Sequence, residues 1–194
     1  GICGSDLHLY RGMLGDVTGM QPGHEVAGVI DATGDGVRLT TGTLVALEPL
    51  LACGDCVHCR TGYYNRCAQR RLFGVSAPGG MAEYMTVPAE RLCPFPGEVP
   101  SPIAALSEPM AVVVRGLRLG DVSLGQSVAV LGAGSIGLLA IPAAFAAGAA
   151  EVFITARHPH QSDMARHLGA TRVFPSSDAL LHAPRKLMRV VVVE

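Results

Sequence analysis

Apolar positions follow two rhythms along the chain. Through the first hundred residues they form short runs, Val26-Ala27-Gly28-Val29-Ile30 and Leu44-Val45-Ala46-Leu47. Both runs are bounded by Gly, Asp and Thr, which predicts strands of an irregular β domain. Gly79-Gly80 followed by Met81 to Pro88 predicts a turn feeding a further strand. Pro94, Pro96, Pro100 and Pro102 mark a linker, and Ile103 to Leu119 spaces its apolar residues as a helix, interrupted at Glu108-Pro109. From Ser127 the order becomes strand, glycine turn, helix, strand, helix, strand, which signals a parallel α/β unit. The expected divisions are 1–100 for the β domain, 101–120 for a linking helical region and 121–194 for the α/β unit.

Between Val122 and Ala150 there is no charged residue, and by length alone this stretch is a candidate membrane span. Gly125, Gly132, Gly134, Gly137, Gly148 and Pro142 interrupt it, and a β-rich run, Val128 to Leu131, gives way abruptly to Ala/Leu-rich sequence. A buried parallel strand followed by a buried helix reads better, because such strands are apolar on both faces. Pro142 is expected to kink that helix.

Composition narrows the class. Of the 194 residues 49% are hydrophobic and 16% charged, which excludes a disordered chain or a long coiled coil. The 24 glycines and 13 prolines imply many tight turns without a repeat. The net charge of −1, with no basic run, argues against nucleic acid as a partner. The chain opens at Gly1-Ile2-Cys3-Gly4 without Met and stops in the apolar run Val190-Val191-Val192-Val193-Glu194, so both ends read as cut. We therefore expect a fragment, and the lack of a leader at Gly1 says nothing about targeting.

Four of the 6 cysteines fall at Cys53, Cys56, Cys59 and Cys67. The short spacings bring thiolates together on a Gly-containing loop, and the longer return supplies a fourth ligand for one tetrahedral Zn2+. A disulfide pair and an iron–sulfur cluster are the alternatives. The first is disfavoured by two further cysteines and no secretory signal, the second by the absence of a Cys-Pro ending. Four thiolates leave no open position, so this site is expected to be structural, with His58 a solvated loop residue.

A second set is better suited to chemistry. Cys3, His24, Glu25 and Glu108 offer S, N and O donors, and a catalytic zinc needs about three protein ligands plus an exchangeable position. Each residue alone has a plain explanation as a buried Cys, a core His or a surface Glu, and spacing leaves the two readings even.

The string Gly1-Ile2-Cys3-Gly4-Ser5-Asp6-Leu7-His8, then Pro22-Gly23-His24-Glu25, the four-cysteine loop and Glu108-Pro109, resembles the zinc-dependent medium-chain alcohol dehydrogenases. Its nearest likeness is to the sorbitol and threonine dehydrogenase branch, and the motifs span nearly the whole chain in the family's order. The resemblance implies an α/β fold, a GroES-like β domain joined to a Rossmann doubly wound parallel sheet, both incomplete here. It implies two zinc ions per chain: a structural one at the four cysteines, and a catalytic one at Cys3 and His24 with Glu25 and Glu108 as direct or alternating ligands. Ser5 would hydrogen-bond the substrate hydroxyl, and His8 would carry the proton on to solvent. The implied activity is reversible interconversion of an alcohol, a secondary alcohol or polyol, with its carbonyl by hydride transfer to or from NAD(P). The implied protein is cytoplasmic, a homodimer or homotetramer, and takes a small-molecule substrate with no membrane or nucleic-acid partner. The alternatives are a catalytically silent, zinc-stabilised binding protein and a zinc-independent quinone reductase-like enzyme; the intact Cys3, Ser5, His8 and His24 argue against both.

The run Gly132-Ala133-Gly134-Ser135-Ile136-Gly137 follows a predicted strand and opens a predicted helix, as a dinucleotide fingerprint requires. Gly132 suits the tight turn, Gly134 the approach of the pyrophosphate, and Gly137 close helix–strand packing, with the helix N-terminus facing the phosphates. An NAD enzyme usually carries Asp or Glu at the end of the next strand. This chain has Ala156-Arg157-His158-Pro159, and Glu151 lies roughly 16 Å away at about 3.3 Å per residue. Without the acid, nothing repels a 2′-phosphate, and Arg157 can pair with one, so NADP(H) is expected over NAD(H). The competing reading is a solvent-exposed Arg157 with no cofactor role.

Cys93 reads as a small core residue or free thiol. His160, His167 and His182 have no competing ligand spacing, and His158 is kept only as a neighbour of a 2′-phosphate. Arg185-Lys186 and Arg189 read as a solvated face before the last strand.

Overall fold

A computed structural model describes residues 1–13, 15–182 and 188–192. Arg185, Lys186 and the last two residues of the terminal apolar run lie outside them. The chain divides into two compact units, Gly1–Glu108 and Pro109–Glu194.

The first unit runs α1 (Gly4–Tyr10), β1 (Ala27–Val29), β2 (Leu44–Leu47), β3 (Leu50–Leu51), α2 (Val57–Arg60), β4 (Arg71–Leu72), β5 (Leu92–Pro94) and α3 (Ser101–Ala104), with 3₁₀ turns at Tyr64–Arg66 and Ala89–Arg91. β1, β2 and β5 form an antiparallel sheet with β2 at its centre, registered Ala27↔Ala46 and Ala46↔Cys93. β3 pairs with β4 through Leu50↔Leu72. The core is small: Leu47, Phe73 and Ala77, backed by Val26, Leu51, Met85, Val87 and Leu92. The segment from Met81 to Pro88 forms no strand. Met85 and Val87 instead turn their side chains onto that core, so their apolar character reflects burial rather than ladder pairing.

α4 (Ser107–Leu119) joins the units. The helical interruption falls at Ala105-Leu106, and Glu108-Pro109 open α4 rather than break it. Proline is tolerated in a first turn because its missing N–H has no partner there anyway. Pro109, Val113 and Leu117 then form the buried stripe at helical spacing.

The second unit alternates β6 (Ser127–Leu131), α5 (Ser135–Ala146), β7 (Glu151–Thr155), α6 (Pro159–His167), β8 (Arg172–Phe174), α7 (Ser177–Leu181) and β9 (Met188–Val192). The strands are all parallel in the order β8-β7-β6-β9, with Val128↔Val152 and Val130↔Ile154 aligned. Side-chain alternation sorts the core onto two faces. Val128, Val130, Val152 and Ile154 pack with Ile141 and Ala144 of α5, whereas Ala129 meets Phe174 and Leu180 on the other. With both faces covered, the uncharged run between Val122 and Ala150 is explained by burial within the protein. α5 runs on through an exposed Pro142, and its 12 residues amount to about 18 Å of helix against a hydrocarbon thickness of about 30 Å. Among the described residues no helix is long and apolar enough to cross a membrane.

Candidate metal centres and cofactor turn

The cysteine lobe has almost no apolar interior. From Cys53 to Arg66 every residue is exposed or partly exposed, and only Cys67 is buried. What converges there is sulfur. Cys53 and Cys59 stand 3.8 Å apart, Cys56 and Cys59 3.5 Å, and Cys67 and Cys53 3.6 Å. A disulfide needs about 2.05 Å, whereas a tetrahedron of 2.3 Å Zn–S bonds has edges of about 3.8 Å, so the spacing fits a four-thiolate metal site. The four sulfurs are electrostatically unequal. Backbone N–H groups of Cys56 and Asp55 and the Cys67 thiol pull the Cys53 thiol down to about 6. Desolvation and the neighbouring Cys56 thiol push Cys59 up to about 12. A bound cation removes that frustration by letting all four ionise.

The second cluster draws on distant segments. The ligand atoms of Cys3, His24 and Glu25 lie within 4.8 Å of one another. Cys3 stands at the N-cap of α1, in extended backbone, and His24 is 5% exposed. One oxygen of the buried Asp6 accepts the Cys3 N–H at 2.7 Å; the other faces His24 Nδ1 at 3.7 Å. Those two facing atoms, Asp6 Oδ1 and His24 Nδ1, are buried without a hydrogen-bond partner among the described residues, their separation being too long for a hydrogen bond. A proton on Nδ1, facing the Asp6 carboxylate, would leave the Nε2 lone pair for a metal, as in carboxylate–histidine pairs that fix a ligand's tautomer. Ser5 Oγ lies 3.5 Å from that Nε2. His8 follows one turn later on α1 and is exposed. Glu108 stands outside the 4.8 Å cluster but within its field: burial raises its carboxyl above the usual range, His24 opposes the shift and Glu25 adds to it. The donors S, N and O, with a carboxylate-oriented imidazole, fit a zinc with an exchangeable position.

In the second unit the glycine turn is braced from across the sheet. Gly132 has φ +104°, open only to glycine, and donates its N–H to Thr155 Oγ1 at 2.9 Å. A Cβ on Gly137 would run into the Gly132 carbonyl oxygen, while a Cβ on Gly134 would meet nothing, so Gly137 packs and Gly134 leaves open space. Ser135 and Ile136 begin α5, capped by Gly134, with Ala133 buried beneath the turn. At the end of β7, Ala156 is buried and Arg157 exposed. His158 caps α6, its ring parallel to that of His160 at 5.7 Å. Glu151 is pinned at the opposite end of β7 by Ser127 Oγ at 2.8 Å, away from the glycine turn.

Residues 1–97 match the alcohol dehydrogenase GroES-like domain. The chain belongs to the zinc-dependent medium-chain dehydrogenases. Its relatives include L-threonine 3-dehydrogenase of Pyrococcus horikoshii, 37% identical over 177 residues that cover 89% of this chain and 51% of the relative. A zinc-binding dehydrogenase from Sinorhizobium meliloti, solved bound to NADP, superposes with TM-score 0.84 at 34% identity, covering 90% of this chain and 51% of that one. An alcohol dehydrogenase from Escherichia coli CFT073, solved with NADH, superposes with TM-score 0.81 at 35% identity, covering 90% and 52%. This medium-chain dehydrogenase chain thus spans about half the length of the relatives it matches.

Two supporting residues escaped the sequence reading. Asp6 was signalled by its spacing from Cys3, an N-cap residue followed three positions later by a carboxylate, a capping pattern that also points an acid back at the cap. Thr155 carried no signal, since a Thr in a strand is unremarked until the turn opposite it is known.

Proposed function

We propose that the full-length protein is a zinc- and NAD(P)-dependent dehydrogenase that interconverts a secondary alcohol or polyol with its carbonyl. The observation that carries this reading is the buried Asp6–His24 pair beside Cys3, Glu25 and Ser5, in a chain of this family. Cys3 and His24 hold the catalytic zinc, with Glu25 and Glu108 as direct or alternating ligands. Bound there, the zinc supplies Lewis-acid polarisation of the substrate oxygen. Ser5 takes the substrate's hydroxyl proton, and His8, on the same face of α1 and open to solvent, receives it for release. Cys53, Cys56, Cys59 and Cys67 hold a second, structural zinc. Gly132 to Gly137 would hold the pyrophosphate of a nicotinamide cofactor, which would supply the hydride chemistry when bound.

NADP(H) is the preferred cofactor. The buried Ala156 offers no carboxylate to a ribose, and the exposed Arg157 beside the His158 cap makes no ion pair among the described residues and can meet a 2′-phosphate. The family resemblance suits a cytoplasmic enzyme and a homodimer or homotetramer. Zinc analysis of the full-length protein with NADPH- and NADH-dependent reduction of a ketone and aldehyde panel tests this. The expected result is two zinc per chain, turnover, and kcat/KM higher for NADPH by at least tenfold. A single zinc or a strong NADH preference overturns the corresponding part.

A further inference from the structure

The loop that carries His24 and Glu25 is clamped by a segment that contributes no ligand. Gly79 donates its N–H to Gln21 O at 2.7 Å, Gly80 to Gly23 O at 2.9 Å, and Met81 to Pro22 O at 3.0 Å. Gln21 returns a bond from Nε2 to Gly79 O at 2.6 Å. The two backbones approach so closely that side chains are excluded. A Cβ on Gly74 would stand 2.6 Å from the backbone of Gly23, where ordinary contact begins at 3.4 Å. A Cβ on Gly79 would collide with the carbonyl oxygens of Pro22 and Gly23 and stand 2.6 Å from Gly74 Cα. Gly23 itself is held at φ +99° against Met81. Gly23, Gly74 and Gly79 are all buried, and the clamp is rooted in the unit's core through Phe73 and Ala77.

We infer that Gly74 and Gly79 are positioning residues for the Cys3–His24–Glu25 centre: their bare backbones set where the Pro22-Gly23-His24-Glu25 turn lies. The inference rests on the zinc reading proposed above. A methyl group at Gly79 must push the turn by several tenths of an ångström to about 1 Å, and a metal centre keeps its geometry only within about 0.5 Å. Disturbing the support of a ligand typically lowers metal affinity 10–100-fold. Gly79 is the sharper test because its φ is not positive, so Gly79→Ala introduces the collision without backbone strain.

The experiment measures zinc per chain and chelator competition on the full-length protein. The readouts are Gly79→Ala, the milder Gln21→Leu, which removes one clamp bond, and Gly42→Ala, which strains a φ of +87° in open space. Gly79→Ala is expected to lose one zinc and regain it only at zinc concentrations at least tenfold higher, while the four-cysteine zinc stays. Gln21→Leu shifts the same titration severalfold. Gly42→Ala lowers the melting temperature yet keeps both ions. Retention of both ions by Gly79→Ala with unchanged affinity overturns the inference, as does equal zinc loss in Gly42→Ala. If Gly79→Ala does not fold, an unshifted titration in Gln21→Leu overturns it. A wild-type protein with one zinc overturns instead the two-zinc reading.

Discussion

The two candidate metal centres are built on opposite plans. The cysteine lobe gathers four identical donors from one short stretch, with exposed side chains around them and little beneath but the buried Cys67. The Cys3–His24–Glu25 centre gathers three different donors from two segments far apart in sequence, faces His24 with a buried carboxylate, and sets the His24–Glu25 turn on a glycine clamp. The difference lies in what holds the ligands when the ion is gone. In the lobe, on the zinc reading proposed above, a bound ion would stand in for a hydrophobic core, and its binding free energy would be folding free energy. In the second centre the protein holds the geometry beforehand, as a site must if its metal is to keep an exchangeable position and act on a substrate.

The widest separation of the two plans comes from removing one ligand from each. Cys67→Ala takes the buried thiol out of the lobe, and structural zinc sites carry roughly 10 kcal/mol or more of apparent binding energy at neutral pH. We expect loss of one zinc and a fall in melting temperature on the order of 10 °C or more, since about 1 kcal/mol shifts a domain of this size by roughly 2–4 °C. Cys3→Ala is expected to abolish turnover and lose the other zinc, leaving the lobe's ion in place and the melting temperature within a few degrees. Metal analysis with thermal unfolding reads both, and equal destabilisation by the two substitutions would erase the contrast.

That contrast also explains what could be read from the chain alone. Four cysteines at spacings of a few residues report their own convergence, because short loops leave the sulfurs nowhere else to go. Gly132, Gly134 and Gly137 were legible for a similar reason, since the fingerprint is local and the strand before it and helix after it have their own periodicities. Cys3, His24 and Glu25 were not legible by spacing. Their proximity is a tertiary fact, and the likeness of the surrounding motifs to a family carried that reading instead. Asp6 was overlooked because a carboxylate in a first helical turn has an ordinary explanation in the helix dipole. Its partner His24 is eighteen positions away in sequence, with only the folded chain to bring them together. Met81 to Pro88 misled for the converse reason: an extended apolar pattern records burial, and the ladder that defines a strand depends on a neighbour the pattern does not name.

A finer break in the comparison is Asp6→Asn. The amide preserves shape and still accepts the Cys3 N–H through its carbonyl oxygen, but it presents an NH2 group to His24 Nδ1. That donor favours the tautomer with its proton on Nε2, the nitrogen the metal needs. Affinity for the catalytic zinc is expected to fall 10–100-fold with the lobe's zinc unchanged. An unaltered chelator titration would show that the ligands alone, as in the cysteine lobe, hold the ion.

The smallest effect extends the contrast to the cofactor turn, which like the His24 centre is braced by a residue outside its motif. The backbone pairing of β6 with β7 ends at Val130↔Ile154, and the Thr155 hydroxyl continues it by accepting the Gly132 N–H. Thr155→Val keeps the β-branched shape and leaves that N–H without its partner, at a cost of about 1–3 kcal/mol. Part of the cost falls on the conformation that receives the pyrophosphate. We expect the dissociation constant for NADPH, followed by its fluorescence on titration, to rise about tenfold, with Thr155→Ser near wild type and both zinc ions retained. Unchanged binding in Thr155→Val would mean that the positive φ of Gly132 and the tight packing of Gly137 fix the turn by themselves, leaving the His24 centre alone in needing support from beyond its own motif.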